Sequence, residues 1–185
     1  NVLNALGALA MAMRAGVDFR RAAQAAEECT GAVRRFEHVA DVTTGPDTPP
    51  ITLMDDYAHH PTEVRATLLA ARARFAGRRL VGCFQPHTYS RSRYLLEGFK
   101  TCFEALDVLY ILGTYAAREP ASAGMDAQAL AAEIHSPDAR YLATFEEAVE
   151  QITAELRPGD VFFTIGAGDV DRLGPLLRET LEARR

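Results

Sequence analysis

From residue 38 onward the chain repeats one pattern, a short β-rich run followed by a segment with helical spacing. The runs are His38 to Thr43, Ile51 to Asp55, Leu80 to Phe84, Val108 to Leu112, Arg140 to Leu142 and Val161 to Ile165. Strand and helix in regular alternation imply parallel strands, because a parallel neighbour is reached only by a connection long enough to cross one face of the sheet. The expected fold is α/β, a Rossmann-like and mostly parallel sheet of six strands with helices on both faces. The first two runs are the exception. They are joined by Gly45-Pro46-Asp47-Thr48-Pro49-Pro50, a turn-rich connector suited to a hairpin. Helices are expected over Pro61 to Phe75, Ser92 to Leu106, Asp126 to Ile134, Phe145 to Leu156 and Pro175 to Ala183.

Residues 2 to 29 read differently, as two helices. Val2, Leu3, Leu6, Leu9, Ala10 and Met13 form an apolar face, Gly16 ends the first helix and Asp18 caps the second. The composition shifts near Thr30 to Phe36, so residues 1–35 are expected to be the helical end of one domain plus a linker, and residues 36–185 a second domain. The first pattern starts directly at Asn1, which suggests that its partner elements lie upstream.

Charge narrows the functions open to such a chain. With 20 basic and 25 acidic side chains the net charge is −5, and no stretch concentrates the basic ones. That disfavours binding to a nucleic-acid backbone or an anionic membrane. No apolar stretch is long enough to span a bilayer, and no signal-like segment is present, so a cytoplasmic location is expected. Cys29, Cys83 and Cys102 are far apart and form no C-x-x-C pair, which predicts reduced, mostly buried thiols.

In an open parallel sheet, ligands bind beyond the carboxyl ends of the strands. The residues found there are Asp55-Asp56-Tyr57-Ala58-His59-His60-Pro61, Gln85-Pro86-His87-Thr88-Tyr89-Ser90-Arg91-Ser92-Arg93, Gly113 to Arg118, and Gly166-Ala167-Gly168-Asp169. Each group also has a plain structural reading. Asp56 could cap the helix that starts at Pro61, the paired histidines could be an ordinary loop, and Gly166-x-Gly168 could be a tight turn. Arg91 and Arg93 are expected in the first turn of a helix, where the macrodipole disfavours cations, so they are better explained by an anion facing them. No G-x-x-x-x-G-K-[ST] occurs and the sole lysine, Lys100, is not near a glycine-rich loop, so the chain has no phosphate-binding P-loop. Ser90 and Ser92 lack a nucleophile elbow.

Asn1-Val2-Leu3-Asn4, Arg34-Arg35-Phe36-Glu37, Asp55 to Glu63 (DDYAHHPTE), Phe84 to Arg93 (FQPHTYSRSR) and Gly166 to Val170 (GAGDV) resemble, in order and spacing, the Mur ligases. Within that family the likeness is to the branch that joins L-alanine to UDP-N-acetylmuramate. The resemblance implies an ATP- and Mg2+-dependent amide synthesis. The sugar carboxylate becomes an acyl phosphate, which the alanine amine attacks. It also implies that a UDP-sugar-binding domain and a central ATPase domain precede these residues, that the first 35 residues end the central domain, and that the chain alone is inactive. By the same resemblance Asn1 and Asn4 contact adenine, Arg35 reaches the ATP phosphates and Asp56 takes the ribose hydroxyls. Tyr57, His59, His87 and Arg91 form the alanine pocket, with His59, His87 and Arg91 as the candidate catalytic groups. No magnesium ligand is assigned to this chain. Thr88 stands where many members carry arginine, which shifts the neutralisation of charge toward Arg91 or Arg93.

The sequence also admits other readings. The branch that attaches a recycled tripeptide to the same sugar shares the Asp-Asp-x-Ala-His-His-Pro segment but lacks Gln-Pro-His-x-x-x-Arg. A metal-dependent hydrolase could use Asp55, Asp56, His59, His60 and His87 as ligands. A third possibility is a module that only docks onto a partner chain.

Overall fold

The computed structural model describes residues 2–28 and 32–184. It divides into two compact units between Val33 and Arg34. In the first, helix α1 (Val2–Arg14) ends before Gly16, whose φ of +88° glycine adopts without strain. Helix α2 (Phe19–Glu28) is capped by Asp18, whose Oδ1 accepts from the Arg20 amide at 2.9 Å. Both features match the sequence expectation. The apolar face of α1 is open, with Val2, Leu3, Leu6 and Met13 all at least half exposed. Cys29 lies outside the described residues.

Among the described residues the second unit carries a six-stranded sheet of β1 (Glu37–Val42), β2 (Ile51–Asp56), β3 (Leu80–Phe84), β4 (Val108–Leu112), β5 (Ala139–Leu142) and β6 (Val161–Ile165). The spatial order is β1-β2-β6-β3-β4-β5, and only the β1/β2 hairpin is antiparallel. The helices are α3 (Pro61–Arg74), α4 (Tyr89–Tyr94), α5 (Leu96–Phe99), α6 (Ala127–Ala132), α7 (Phe145–Glu155) and α8 (Leu173–Ala183).

Successive strand residues feed opposite faces, as the period of two requires. Leu109, Ile111 and Phe163 join Val64 and Leu68 of α3 and Leu130 of α6 on one side. Tyr110, Leu112 and Phe162 join Ile152 of α7 and Leu173 and Leu177 of α8 on the other. Cys83 and Cys102 are buried free thiols whose pKa burial pushes up to about 12, so they are inert packing residues. No described helix is long and apolar enough to cross a membrane.

Three local expectations need correction. The single helix expected over Ser92 to Leu106 is broken at Leu95 and ends at Phe99. Phe99, Cys102, Phe103 and Leu106 still bury their side chains. The carbonyls of Thr101 and Ala105 accept from Arg65 and Arg72 of α3, so side chains replace the intrahelical bonds. The second correction concerns charge. Since α4 begins at Tyr89, Arg91 and Arg93 lie in its last turn, where the macrodipole favours cations, and the dipole argument for a facing anion no longer applies. Third, α8 starts before Pro175, after a 3-10 turn over Val170–Arg172, and Pro175 occupies its first turn, where no amide is needed.

Candidate active site

The carboxyl ends of the four inner strands are in register. Asp56 and Phe84 both pair with Ile165, and Phe84 also with Ile111. The ladder continues into the loops beyond. Gly166 N donates to Asp56 O and Gln85 N to Ile165 O, both at 3.0 Å. Tyr115 N donates to Pro86 O at 2.9 Å, and His87 bridges to Tyr115. Backbone hydrogen bonds thus tie the loops after β2, β6, β3 and β4 into one rim.

On that rim the aromatic side chains form a row. The Tyr57 ring meets His59 edge-on at 5.5 Å, His59 lies 6.3 Å from His87, and His87 stacks on Tyr115 at 5.4 Å, all centroid to centroid. His59 and His87 come from loops after β2 and β3, the two neighbours of β6. Arg91 Nη1 donates to the His87 carbonyl at 3.0 Å and lies 3.2 Å from His87 Nδ1. Among the described residues Arg91 has no carboxylate partner, so its other N–H groups are available to an anion. Burial, the Arg91 guanidinium and the His59 ring together hold the His87 imidazole below the ordinary histidine pKa. Tyr57, His59, His87 and Arg91 are therefore brought together.

Asp56 does not cap α3. It is buried, with Oδ2 accepting from Phe36 N and Oδ1 from Ala58 N, both at 2.8 Å. The cap is His60, whose Nδ1 accepts from Thr62 N at 3.3 Å. Arg35 is exposed and its guanidinium lies 5.7 Å over the Tyr57 ring. Asn4 sits exposed on α1, and Asn1 lies outside the described residues. Ser90 donates to Glu119 and Ser92 to the Thr88 carbonyl, so neither is paired with a histidine base. Thr88 holds φ +80°, an unusual value for a β-branched residue, between His87 and the start of α4.

Sequence reasoning missed Arg34. Its Nε pairs with Asp55 at 2.8 Å, while Nη1 and Nη2 donate to the carbonyls of Gly168 and Gly166 at 2.9 and 2.8 Å. Its own carbonyl accepts from Tyr57 N at 2.7 Å. Arg34 thereby joins the Tyr57 loop to the Gly166–Val170 turn and belongs to the second unit, two residues before the expected boundary. The turn itself is a packing device. At Gly166 the φ is +146°, and a Cβ there would stand 2.8 Å from the Gln85 carbonyl. Nothing in the pair Arg34-Arg35 distinguishes the half-buried arginine from the exposed one.

A hydrolytic metal centre is not assembled. Asp55 is held by Arg34 and Thr164, Asp56 by two amides and His60 by its helix, and no described group of three or more His, Cys, Asp and Glu side chains is arranged around a common point. Both carboxylates are thus already engaged within the chain.

The sequence profile described as "Mur ligase, glutamate ligase domain" matches residues 34–168. The UDP-N-acetylmuramate–L-alanine ligase of Roseiflexus castenholzii is 45% identical over 95% of this chain and 36% of its own length. That of Gloeobacter violaceus is 41% identical over 98% and 38%. The crystal structure of the UDP-N-acetylmuramate–alanine ligase of Thermotoga maritima superposes with a TM-score of 0.81 at 26% identity, covering all of this chain and 38% of that one. A murein peptide ligase from Psychrobacter arcticus shares the fold, with a TM-score of 0.68 at 23% identity over 97% of this chain and 36% of that one. This chain spans well under half the length of these relatives. Its profile match over residues 34–168 and its close sequence relatives place the chain in the Mur ligase family.

Proposed function

We propose that the chain is the amino-acid-binding C-terminal part of a cytoplasmic ligase that joins L-alanine to UDP-N-acetylmuramate at the expense of ATP. The observation that carries this reading is Arg91, an arginine without a carboxylate partner among the described residues, held against His87, whose ring lies 6.3 Å from that of His59. Such a group recognises a small carboxylate, and the histidine row beside it offers partners for an amine. The relatives named UDP-N-acetylmuramate–L-alanine ligases support alanine as that molecule.

A carboxylate is a poor electrophile until one oxygen becomes phosphate, so ATP is the required co-substrate and an acyl phosphate the expected intermediate. Mg2+ would accompany the ATP phosphates and be held outside the described residues. In this reading residues 1–35 end the ATP-binding domain, with Asn1 and Asn4 toward adenine and Arg35, exposed beside Tyr57, toward the phosphates. Asp56 is the weakest of the carried-over contacts, because both its oxygens already serve backbone amides; its part is to shape the loop that presents Tyr57 and His59.

The test is ADP release by the full-length protein with ATP, Mg2+ and UDP-N-acetylmuramate, offered L-alanine or L-Ala-γ-D-Glu-diaminopimelate. Release that depends on alanine is expected. Release only with the tripeptide assigns the protein to the recycling branch, and silence with both removes the ligase reading.

A further inference from the structure

We infer that Glu119 is a positioning residue for Arg91: from the loop beyond β4 it supplies the N-terminal cap that α4 lacks, and so keeps the Arg91 side chain clasped to His87. The kinetic consequence of this rests on the ligase reading above, whereas the structural role does not.

A helix of six residues cannot sustain itself and needs partners for its first amides. Thr88 stands at the capping position, yet its φ of +80° and ψ of 171° are not those of a cap, and its side chain accepts from no helix amide. Thr88 Oγ1 lies instead 3.3 Å from Ser90 Oγ. The cap comes from 29 residues further along the chain. Glu119 Oε2 accepts from Ser90 N at 2.9 Å and Oε1 from Ser90 Oγ at 2.5 Å, and its charge complements the helix dipole. Those two Ser90 bonds, with Thr88 and the Tyr89 amide adding to them, hold the Glu119 carboxyl below its ordinary value, so it is ionised at neutral pH.

The loop that carries Glu119 is itself fastened to the segment between β3 and α4. Tyr115 N donates to Pro86 O at 2.9 Å on one side of Glu119, and Met125 N donates to Tyr89 O at 3.0 Å on the other. Gly124 approaches so closely that a Cβ there would collide with the Tyr89 carbonyl. Between these two ties Glu119 N closes a turn onto Ala116 O at 2.9 Å, with Ala117 at φ +52°. A loop tied at both ends presents the carboxylate in one place, which a surface glutamate on a free loop would not.

Arg91 follows Ser90 directly. Its Nη1 reaches back one turn to the His87 carbonyl at 3.0 Å, so the clasp exists only while the turn from Thr88 to Arg91 is wound. The other bonds across that turn come from Ser92, whose N and Oγ donate to the Thr88 carbonyl at 3.3 and 3.1 Å. Glu119 contributes the charge-assisted bonds. Its carboxylate meets Ser90 and not Arg91, so it acts on the arginine through α4.

The test follows the titration of the His87 ring by NMR in the full-length protein with isotope-labelled histidine, the His87 signal being identified by its loss in His87→Gln. The ring is faced by Arg91, His59, Tyr115 and Glu119. The Arg91 guanidinium lowers the His87 pKa and the Glu119 charge raises it, the arginine having the larger effect. Glu119→Ala is therefore expected to raise the His87 pKa, because the guanidinium is released. In an Arg91→Ala background the same substitution is expected to lower it, because only the glutamate charge is left to lose. Glu119→Asp keeps the charge but draws it back from Ser90; it is expected to raise the pKa too, and it serves if the alanine variant does not fold. In turnover, Glu119→Ala is expected to raise the alanine KM about fivefold, the scale of one lost cap, with the ATP KM unchanged and nothing added to the effect of Arg91→Ala. A fall of the His87 pKa in Glu119→Ala, or no change in Glu119→Asp, overturns the role. ADP release by the unsubstituted enzyme that does not depend on alanine overturns the ligase reading instead, and the titration still decides for or against Glu119.

Discussion

Arg34 and Asp55 form an ion pair at 2.8 Å beneath the rim, with Asp55 almost wholly buried and Arg34 also holding the carbonyls of Gly166 and Gly168. Removing one partner of such a pair leaves the other buried and uncompensated, at about 3–5 kcal/mol. Arg34→Ala is expected to lower unfolding stability on that scale in urea titrations, and Arg34→Ala/Asp55→Ala to recover part of it. Burial pushes the Asp55 carboxyl above its ordinary value of 3.8 even with Arg34 and Thr164 pulling it down. A raised folded pKa favours the fold at acid pH and loses that benefit as pH rises through it. The Arg34→Ala deficit should therefore shrink on acidification; a deficit that grows would show that Asp55 is not its source.

Arg91→Ala is expected to raise the alanine KM of the full-length enzyme with little change in the ATP KM. A charge-assisted hydrogen bond is worth about 1.5–3 kcal/mol, which is about ten- to a hundredfold in affinity. Arg91→Lys should recover little, since a point charge cannot engage His87 and a carboxylate at once. Equal effects on both substrates would remove Arg91 from the amino-acid pocket.

Gly168 is closed to any side chain. A Cβ there would collide with Gln85 Oε1 and stand 2.8 Å from the Tyr115 ring and Cβ. Gly168→Ala is expected to cost about 1–3 kcal/mol by overpacking and to disturb the Tyr115–His87 stack, read as a lower thermal midpoint and a higher alanine KM. A midpoint equal to wild type would mean that the turn yields.

His60 and His59 are adjacent but have separate roles. His60 caps α3 through a 3.3 Å bond, and Asp is the stronger cap and complements the helix dipole. His60→Asp is expected to raise stability by up to about 1 kcal/mol and to leave alanine turnover intact. Loss of turnover would return His60 to the site and revive the reading of the Asp and His residues as a metal cluster.

Far from the rim, Glu155 of α7 accepts from Tyr110 and pairs with Arg140 and with Arg79 at 2.8 Å. Burial pushes its pKa up, but Tyr110, Arg140 and Arg79 outweigh burial and hold it below 4.5. A depressed folded pKa contributes stability that is complete above 4.5 and lost as pH falls through the folded value. The stability gap between wild type and Glu155→Gln should be flat above that pH and close below it, measured by urea midpoints in buffers across the acid range.

The six strands were legible from sequence to within a residue or two, and the four inner ones, β2, β3, β4 and β6, stood out because each is a fully buried run. The positions of Tyr57, His59, His87 and Arg91 followed from that, since a parallel sheet gathers strand-end loops on one edge. What stayed hidden depends on distant partners. The early start of α4 rests on contacts that spacing does not encode. Its N-terminal amides meet Glu119, 29 residues on, where Ser90 N donates at 2.9 Å. The bridging role of Arg34 required Asp55 and the Gly166–Gly168 carbonyls, which are 21 and more than 130 residues away. His60 was read with His59 because adjacency in a motif does not reveal which of two rings turns to the helix.

The rim is drawn together largely by peptide groups, in the bonds Gly166 to Asp56, Gln85 to Ile165 and Tyr115 to Pro86. A peptide bond has the same donor and acceptor whatever side chain it carries. The scaffold of the pocket is therefore insensitive to the identity of most residues that decorate it. A new amino-acid preference could arise by exchanging the few side chains that project from this frame, with the frame left unaltered and the sheet never asked to refold.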